Sequence, residues 1–517
     1  MQNKKDTSFR GRNQQSEPQE NFRFYKGEQK PAREAVVREP VKEQGEIFRV
    51  KAQRFTTGGL AICETEHGNK HVLVPYAAVG DILDVRITGK NSKGIFEGVI
   101  TGIVQHGHGR KEPVCPIHFT PGKTLWCGGC DMGHLDYPDQ LKAKGQIVDE
   151  CLKKAGIYGI DVRKPIPSPV DKRYRNKSQI PVVNKGDRTF TGFYHPGSHH
   201  VVPFEDCIVQ PKLTITILKV LRDIITRMGW STCDPVTGFG WLKHIFIRTN
   251  SKSQAMVVLV ASGETAPGLE KAVSKLVHAV PEIVSVYINV QKKRTPVVLG
   301  HEWKKLYGDS LMTENLGNLN FMFYPGSFLQ VNNRAAEVLF KTALDFLAMG
   351  ERTPYLYDIY CGAGAIGLLA ADRFEWVIGI EENQGAVACA YKNAEKNHIK
   401  NASFVAGKAE KVFAADIYGK LNRTASVVID PPRQGCESSL LIRLKHPSIR
   451  NIVYVSCNPE TFARDANVLI SCGFKLHTVQ PVDMFPQTAH IELVAFFDRA
   501  NTGPERHTGT HTKKGKF

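Results

Sequence analysis

The run YLYDIYCGAGAIGLLAA, Tyr355 to Ala371, decides how the C-terminal half folds. A short apolar strand carrying Asp358 leads into a glycine-rich loop, and an apolar run of helical character follows. Gly362, Gly364 and Gly367 satisfy G-x-G-x-x-G, and Glu381 ends the next apolar run, roughly 20 residues on, where nucleotide-binding folds place an acid for a ribose. The alternation continues through WVIGIEENQGAVACAYKNAEKN, ASVVIDPPRQG and NIVYVSCNPETFARDANVLI, and ends with FKLHTVQPVDMF and HIELVAFF. Strands alternating with helices predict an α/β domain, Rossmann-like and doubly wound, with ligands at the carboxyl ends of its strands.

The glycine loop alone is compatible with a dinucleotide-dependent oxidoreductase. Asp358 argues otherwise, because a carboxylate under the loop repels a pyrophosphate but can hold the ammonium of an amino-acid group. S-adenosylmethionine has that ammonium, has ribose hydroxyls for Glu381, and has no phosphate. A third strand ends in Asp430-Pro431-Pro432-Arg433, where two prolines stiffen the loop that presents the Asp. A fourth ends in YVSCNPETF, where Asn458-Pro459 forces a turn directly after Cys457.

A cysteine is ordinarily a small buried hydrophobe; at the end of a strand in such a sheet it can instead be a nucleophile. Carbon 5 of uracil is too weak a nucleophile to take a methyl group from a sulfonium unaided. Thiolate addition at carbon 6 makes an enolate that is reactive enough, and a base must then remove the carbon-5 proton so that β-elimination frees the enzyme. Glu492 in TAHIELVAFF is the candidate base, although read in isolation it is an exposed edge-strand residue.

The composition is that of soluble globular protein, with 42% hydrophobic and 23% charged residues, and no apolar run approaches the ~20 residues of a membrane helix. The N-terminal run MQNKKDTSFRGRNQQSEPQEN has no signal-peptide core, so a cytoplasmic protein without a membrane partner is expected. Lys and Arg outnumber Asp and Glu 68 to 51, a formal charge of +17 that favours a polyanion such as nucleic acid. A length of 517 residues implies two to four domains.

Residues 1–45 and 499–517 are polar and charged and read as disordered tails. Between them, IFRVKAQRF, GGLAI, HVLVPYAAVGDILDVRIT and IFEGVITGIV alternate apolar and polar residues between turn signals, which predicts an OB-like β-barrel over 46–105. CPIHFTPGKTLWCGGCDMGH places Cys115 ahead of a Cys127-Gly-Gly-Cys130 knuckle, and Cys207 follows in PFEDCIVQP. Such a knuckle lets two thiolates meet one metal; zinc with His118 or His134 and unligated thiols are the alternatives. Residues 106–325 are otherwise strand-rich, with helical stretches near 212–228 and 268–279, and read as a central α+β domain.

DIYCGAG, GIEEN, DPPRQG, VSCNP, MFPQTAHIELV and SFLQVN together resemble the uracil-5-carbon RNA methyltransferases that use S-adenosylmethionine. The resemblance implies a methyltransferase domain over 326–498, with Cys457 as nucleophile and Glu492 as base. It implies cofactor contacts from Gln330, Tyr360, Glu381 and Asp430. The barrel resembles a TRAM domain, and the cysteines resemble the [4Fe-4S] site of the large-subunit rRNA members, with Cys115, Cys127, Cys130 and Cys207 as ligands. Eleven residues separate Cys115 from Cys127, a longer gap than the family pattern, and the extra loop is compatible with ligation because loops lengthen at small entropic cost. Transfer RNA members typically lack both features, so the resemblance implies action on 23S rRNA, with a tRNA uridine methyltransferase as the alternative; a monomer is expected. The target base must be turned out of its stack, and the barrel and central strands are expected to hold the flanking RNA.

Overall fold

The computed structural model describes residues 45–499 apart from 67, 69, 235, 236, 296 and 414–422; beyond residues 45 and 499, the two expected tails lie outside the described residues. Five strands, β1 (Ile47–Phe55), β2 (Ala61–Thr65), β3 (His71–Val74), β4 (Ile82–Lys90) and β5 (Phe96–Gln105), close into a barrel in the order β1-β2-β3-β5-β4. Val50 and Ala52 point inward, and strict alternation would bring Arg54 in next. A register shift between Ala52 and Arg54 turns Phe55 into the core instead. The sequence run 71–88 divides into β3 and β4 at Pro75-Tyr76, where Tyr76 has φ 61°.

Next comes helix α1 (Tyr137–Lys154), followed by a two-residue strand β6 (Asp161–Val162). A seven-stranded sheet is then built from β7 (Lys177–Lys185), β8 (Arg188–Tyr194), β9 (Val201–Pro203), β10 (Leu242–Thr249), β11 (Ala255–Ala261), β12 (Ile283–Val290) and β13 (Glu302–Gly308). Its core packs against α2 (Lys212–Met228) and α3 (Leu269–Ala279), and a hairpin of β14 (Met312–Leu316) and β15 (Leu319–Phe323) follows.

The C-terminal sheet uses α4 (Asn333–Met349), β16 (Tyr355–Ile359), α5 (Ala365–Ala370), β17 (Trp376–Glu381), α6 (Gln384–Lys396), β18 (Ala402–Ala406) and β19 (Ala425–Ile429). It continues with α7 (Ser438–Arg443), β20 (Ile449–Ser456), α8 (Pro459–Ser471), β21 (Phe474–Val482) and β22 (Glu492–Arg499). The strand order is β18-β17-β16-β19-β20-β22-β21-β6, parallel through β20, with β22 antiparallel to both β20 and β21. Alternate residues of each strand serve opposite faces: Tyr357 and Tyr454 pack with α1 and α8, Leu356 and Val453 with α4. One apolar cluster runs from the barrel through Ala143, Ile147 and Leu152 of α1 to the sheet, so the barrel shares a core with the C-terminal domain. Among the described residues no helix is long and apolar enough to cross a membrane.

Candidate active site

β20 delivers Cys457 into a doubly capped turn. The Asn458 N–H donates to Ser456 Oγ at 3.1 Å, and the Glu460 N–H donates to Asn458 Oδ1 at 3.0 Å. Pro459 then opens α8 with its φ already helical. Asn458 Nδ2 and Thr461 Oγ1 both donate to the Arg433 carbonyl, at 3.1 and 3.2 Å, which seats the DPPR loop against the same turn. The far side of that loop is held by Asp465, whose buried carboxylate accepts from the Cys436 N–H at 2.8 Å and from the Tyr454 hydroxyl at 2.6 Å.

Glu492 is the first residue of β22 and is 3% exposed, so it is an interior residue rather than the edge residue that its sequence position alone implies. Burial, then Asp430, holds its carboxyl well above the usual range, with Arg433 opposing. The Cys457 thiol is pushed up to about 12, first by burial and then by the negative fields of Glu492 and Asp430, again with Arg433 opposing. Asp430 is lifted to about 7 by desolvation. Thiol, two carboxyls and one guanidinium therefore share one electrostatic environment at the carboxyl ends of β19 and β20 and the start of β22.

The glycine loop lies two strands away. Asp358 Oδ2 accepts the Gly367 N–H at 2.8 Å, and a Cβ on Gly367 would stand 2.8 Å from that oxygen, so the close approach requires glycine. Asp358 is raised to about 7 by burial, partly offset by the Gly367 N–H, with Asp430 and Glu381 adding to the rise. A pyrophosphate at the loop would meet this carboxyl, and the Gly367 N–H in the first turn of α5 is already taken, which weighs against the dinucleotide reading. Glu381 is fixed by the Gly362 N–H at 3.1 Å and the Asn383 N–H at 2.8 Å. Tyr360 has φ 64°, and its phenol is raised by burial and by Cys436 of the DPPRQGC loop. Gln330 is buried ahead of α4, its carbonyl accepting from Asn176 Nδ2 at 3.0 Å. Two residues on, Asn332 Nδ2 donates to the Met484 carbonyl at 3.2 Å, on the segment leading to Glu492.

The four cysteines singled out by sequence are neighbours. Burial raises Cys130 well above the usual thiol range, and Cys207, Cys127 and Cys115 each add to it. Cys127 is pushed up to about 12 by burial, opposed by the Gly129 N–H, which reaches its sulfur at 3.3 Å. The N–H groups of Val209 and Gln210 lie against Cys207. Among the described residues no three His, Cys, Asp or Glu side chains converge tightly enough to form a ready-made metal site. His118 and His134 are turned to carbonyls, of Phe119 at 3.0 Å and Ala77 at 3.1 Å.

Sequence reading missed the walls of the cleft. Cys457 opens onto a solvent-connected space of about 550 Å³ lined also by Thr57 and Gly58 of the β1–β2 turn, Ile147 of α1, and His490. It also missed Phe328, 64% exposed inside SFLQVN, with the Lys177 ammonium 5.7 Å from its ring centre. Lys177 is lowered to about 8 by burial and by the cations Arg248 and Arg175. A concentration of positive charge beside an exposed ring is the signal that was available, in YRNK and SFLQ.

Residues 136–500 match the family model described as tRNA (uracil-5-)-methyltransferase. An uncharacterized RNA methyltransferase of Clostridium tetani is 34% identical over 427 residues, covering 82% of this chain and 91% of its own. One from Halalkalibacterium halodurans is 32% identical over 461 residues, covering 89% and 98%. Among solved structures, the Pyrococcus abyssi tRNA (uracil-54, C5)-methyltransferase in complex with S-adenosyl-L-homocysteine is similar, with TM-score 0.69, 25% identity, and coverage of 87% of this chain and 99% of that one.

Proposed function

Since the chain belongs to the tRNA (uracil-5-)-methyltransferase family, and is therefore an S-adenosylmethionine-dependent RNA methyltransferase, we propose that it methylates carbon 5 of a uridine in 23S rRNA. The Cys457 thiolate would add to carbon 6, the enolate would take the methyl group with S-adenosylhomocysteine as the leaving group, and Glu492 would remove the carbon-5 proton so that the C6–S bond breaks and the thiolate departs. The observation that carries this reading is the placement of Cys457 and Glu492 on adjacent antiparallel strands, each one residue beyond the Ser456–Leu493 pair, with burial holding the Glu492 carboxyl toward its protonated form, which suits a base that must accept a proton late in the reaction.

Gln330, Tyr360, Glu381 and Asp430 hold the cofactor, Glu381 through ribose hydroxyls. Cys115, Cys127, Cys130 and Cys207 hold a [4Fe-4S] cluster, to which they fit by donor type. Burial makes Cys127, Cys130 and Cys207 costly to ionise unless a cationic cluster takes them, and backbone N–H groups already stand on the sulfurs of Cys127 and Cys207. The domains are a TRAM barrel over 46–105, a central RNA-binding domain over 106–325 and a methyltransferase domain over 326–498, in a cytoplasmic monomer. The barrel's Lys70 and Lys90 lie over the Phe96 ring at 5.8 and 4.6 Å, and Arg175, Lys177 and Phe328 add cations and an exposed ring, groups that hold backbone and unstacked bases.

A tRNA uridine is the second reading, favoured by the Pyrococcus relative. Its match covers 87% of this chain, more than residues 106–498 could supply, since those are 393 of 517, about 76%. A barrel therefore does not by itself separate the two substrates.

The test is to map 5-methyluridine in both rRNA and tRNA from cells lacking the protein. Loss from 23S rRNA alone supports the first reading and loss from tRNA alone the second. RNA carrying 5-fluorouridine at the mapped position should form a stable covalent adduct, because fluorine cannot leave as a proton. If Cys457→Ala forms that adduct as well as wild type does, the nucleophile is another residue.

A further inference from the structure

The segment that ends in Glu492 is held by the N-terminal half of the chain. Residues 483–491 run from β21 to β22 without regular structure, and Gln487 has φ 71°. The Ala489 N–H donates to Asp131 Oδ1 at 2.7 Å. The Met132 N–H donates to the Gln487 carbonyl at 3.0 Å. On the other side, the Gln487 N–H donates to Gln140 Oε1 at 2.9 Å, and the Tyr174 hydroxyl donates to the Pro486 carbonyl at 2.8 Å. Ala489, His490 and Ile491 line the Cys457 cleft, so this loop is both the wall of the cleft and the anchor of the base.

We propose that Asp131 is a positioning residue for the proton-abstraction step: by holding the Ala489 N–H it fixes the three-residue approach to Glu492. The inference rests on the reading of Glu492 as base. Asp131 touches no reacting atom. It directly follows Cys130, so the order of the cysteine segment is transmitted to the base through two residues of backbone. Cys115, Cys127, Cys130 and Cys207 are all remote in sequence from the catalytic strands. The Asp131–Ala489 contact brings them next to the chemistry.

A base displaced by even a fraction of an ångström leaves addition and methyl transfer intact and slows elimination, so the methylated covalent adduct accumulates on ordinary uridine. The full-length protein is mixed with S-adenosylmethionine and uridine RNA, quenched, and scored for covalent RNA–protein complex. Asp131→Ala should hold at least about ten times more adduct than wild type while forming the 5-fluorouridine adduct at the wild-type rate. Asp131→Asn keeps an oxygen acceptor for the Ala489 N–H and should restore release. Glu492→Gln separates the two readings: if it accumulates no adduct, the assignment of the base fails. If it does and Asp131→Ala does not, the positioning role alone is overturned. An Asp131→Ala protein that loses both the 5-fluorouridine adduct and cofactor binding also overturns it, since Asp131 would then support the fold and not the step.

Discussion

The Thr57 hydroxyl donates to a Glu460 carboxylate oxygen at 2.8 Å, joining a turn of the N-terminal barrel to the first turn of the helix behind Cys457. Both residues line the cleft, so the barrel forms part of its wall. Two residues along, Gly59 has φ 75°, and a Cβ there would stand 2.9 Å from Ala489 Cβ and 3.0 Å from Asp131 Oδ2.

Gly59→Ala therefore carries two costs, backbone strain and a collision with the base-bearing loop. Gly94, in the turn between β4 and β5, has φ 78° with nothing within 4 Å of its missing Cβ, so Gly94→Ala carries the strain alone. Each should lose about 1 kcal/mol of stability from the backbone, measured by denaturant titration. Only Gly59→Ala should also slow release of 5-methyluridine. Equal kinetics for the two variants would show that the barrel turn is a neighbour of the cleft and nothing more.

Asp358 gives a prediction with a definite sign. Its folded value, about 7, lies above the ordinary carboxylate value of 3.8, so the native state binds more protons than the unfolded chain between about pH 4 and 7. Stability from this group is full below that window and is lost as pH rises through it. Asp358→Asn, which still offers an oxygen to the Gly367 N–H, should be more stable than wild type at pH 8 by on the order of 1–4 kcal/mol. The gap should narrow at pH 5. Calorimetry at the two pH values checks this, and cofactor titration should find weaker S-adenosylmethionine binding in the same variant. A variant no more stable at pH 8 than at pH 5, relative to wild type, would mean that Asp358 is ionised in the native protein.

Anaerobic purification should give a brown protein with about four irons per chain. Cys130→Ser, which removes the thiol that the other three cysteines all push up, should bleach it. A colourless wild-type protein with stoichiometric zinc would replace the cluster assignment with a zinc site. Methylation that follows redox titration of the iron would contradict a purely structural role for the cluster.

The strand ends were legible because each carries local punctuation: Gly362 to Gly367, the two prolines after Asp430, Asn458-Pro459 after Cys457. Helix α1 was not. Its apolar residues Ala143, Ile147, Val148, Cys151 and Leu152 follow helical spacing, but Gln140 and Lys144 sit on the same buried face and interrupt the pattern. Their partners, Gln487 and Asp483, lie 347 and 339 residues away, with Lys144 Nζ 2.6 Å from Asp483 Oδ1. A polar residue satisfied by a distant partner looks like a surface residue in one dimension. The burial of Glu492 was hidden because the strands that cover β22 are not all its sequence neighbours. β21 and β6 extend the sheet beyond β22, and β6 comes from a part of the chain more than 300 residues earlier, pairing Thr478 with Asp161.

Glu492→Gln is the variant that the site geometry constrains most tightly. Removing the carboxylate removes the base, so elimination should slow by roughly 100-fold or more, and methylated adduct should build up on ordinary uridine. Removing the same charge also takes away a field that raises the Cys457 thiol, so adduct formation on 5-fluorouridine RNA should be no slower than wild type. In wild type the buried carboxyl must lose its proton before it can accept one, and it is held well above the usual range. Single-turnover release of 5-methyluridine should therefore rise with pH at values above the ordinary carboxylate range. In Glu492→Gln the residual release should be flat. Fast release with no accumulated adduct in that variant would place the base elsewhere, and Asp430, next in the same electrostatic environment, would be the residue to replace.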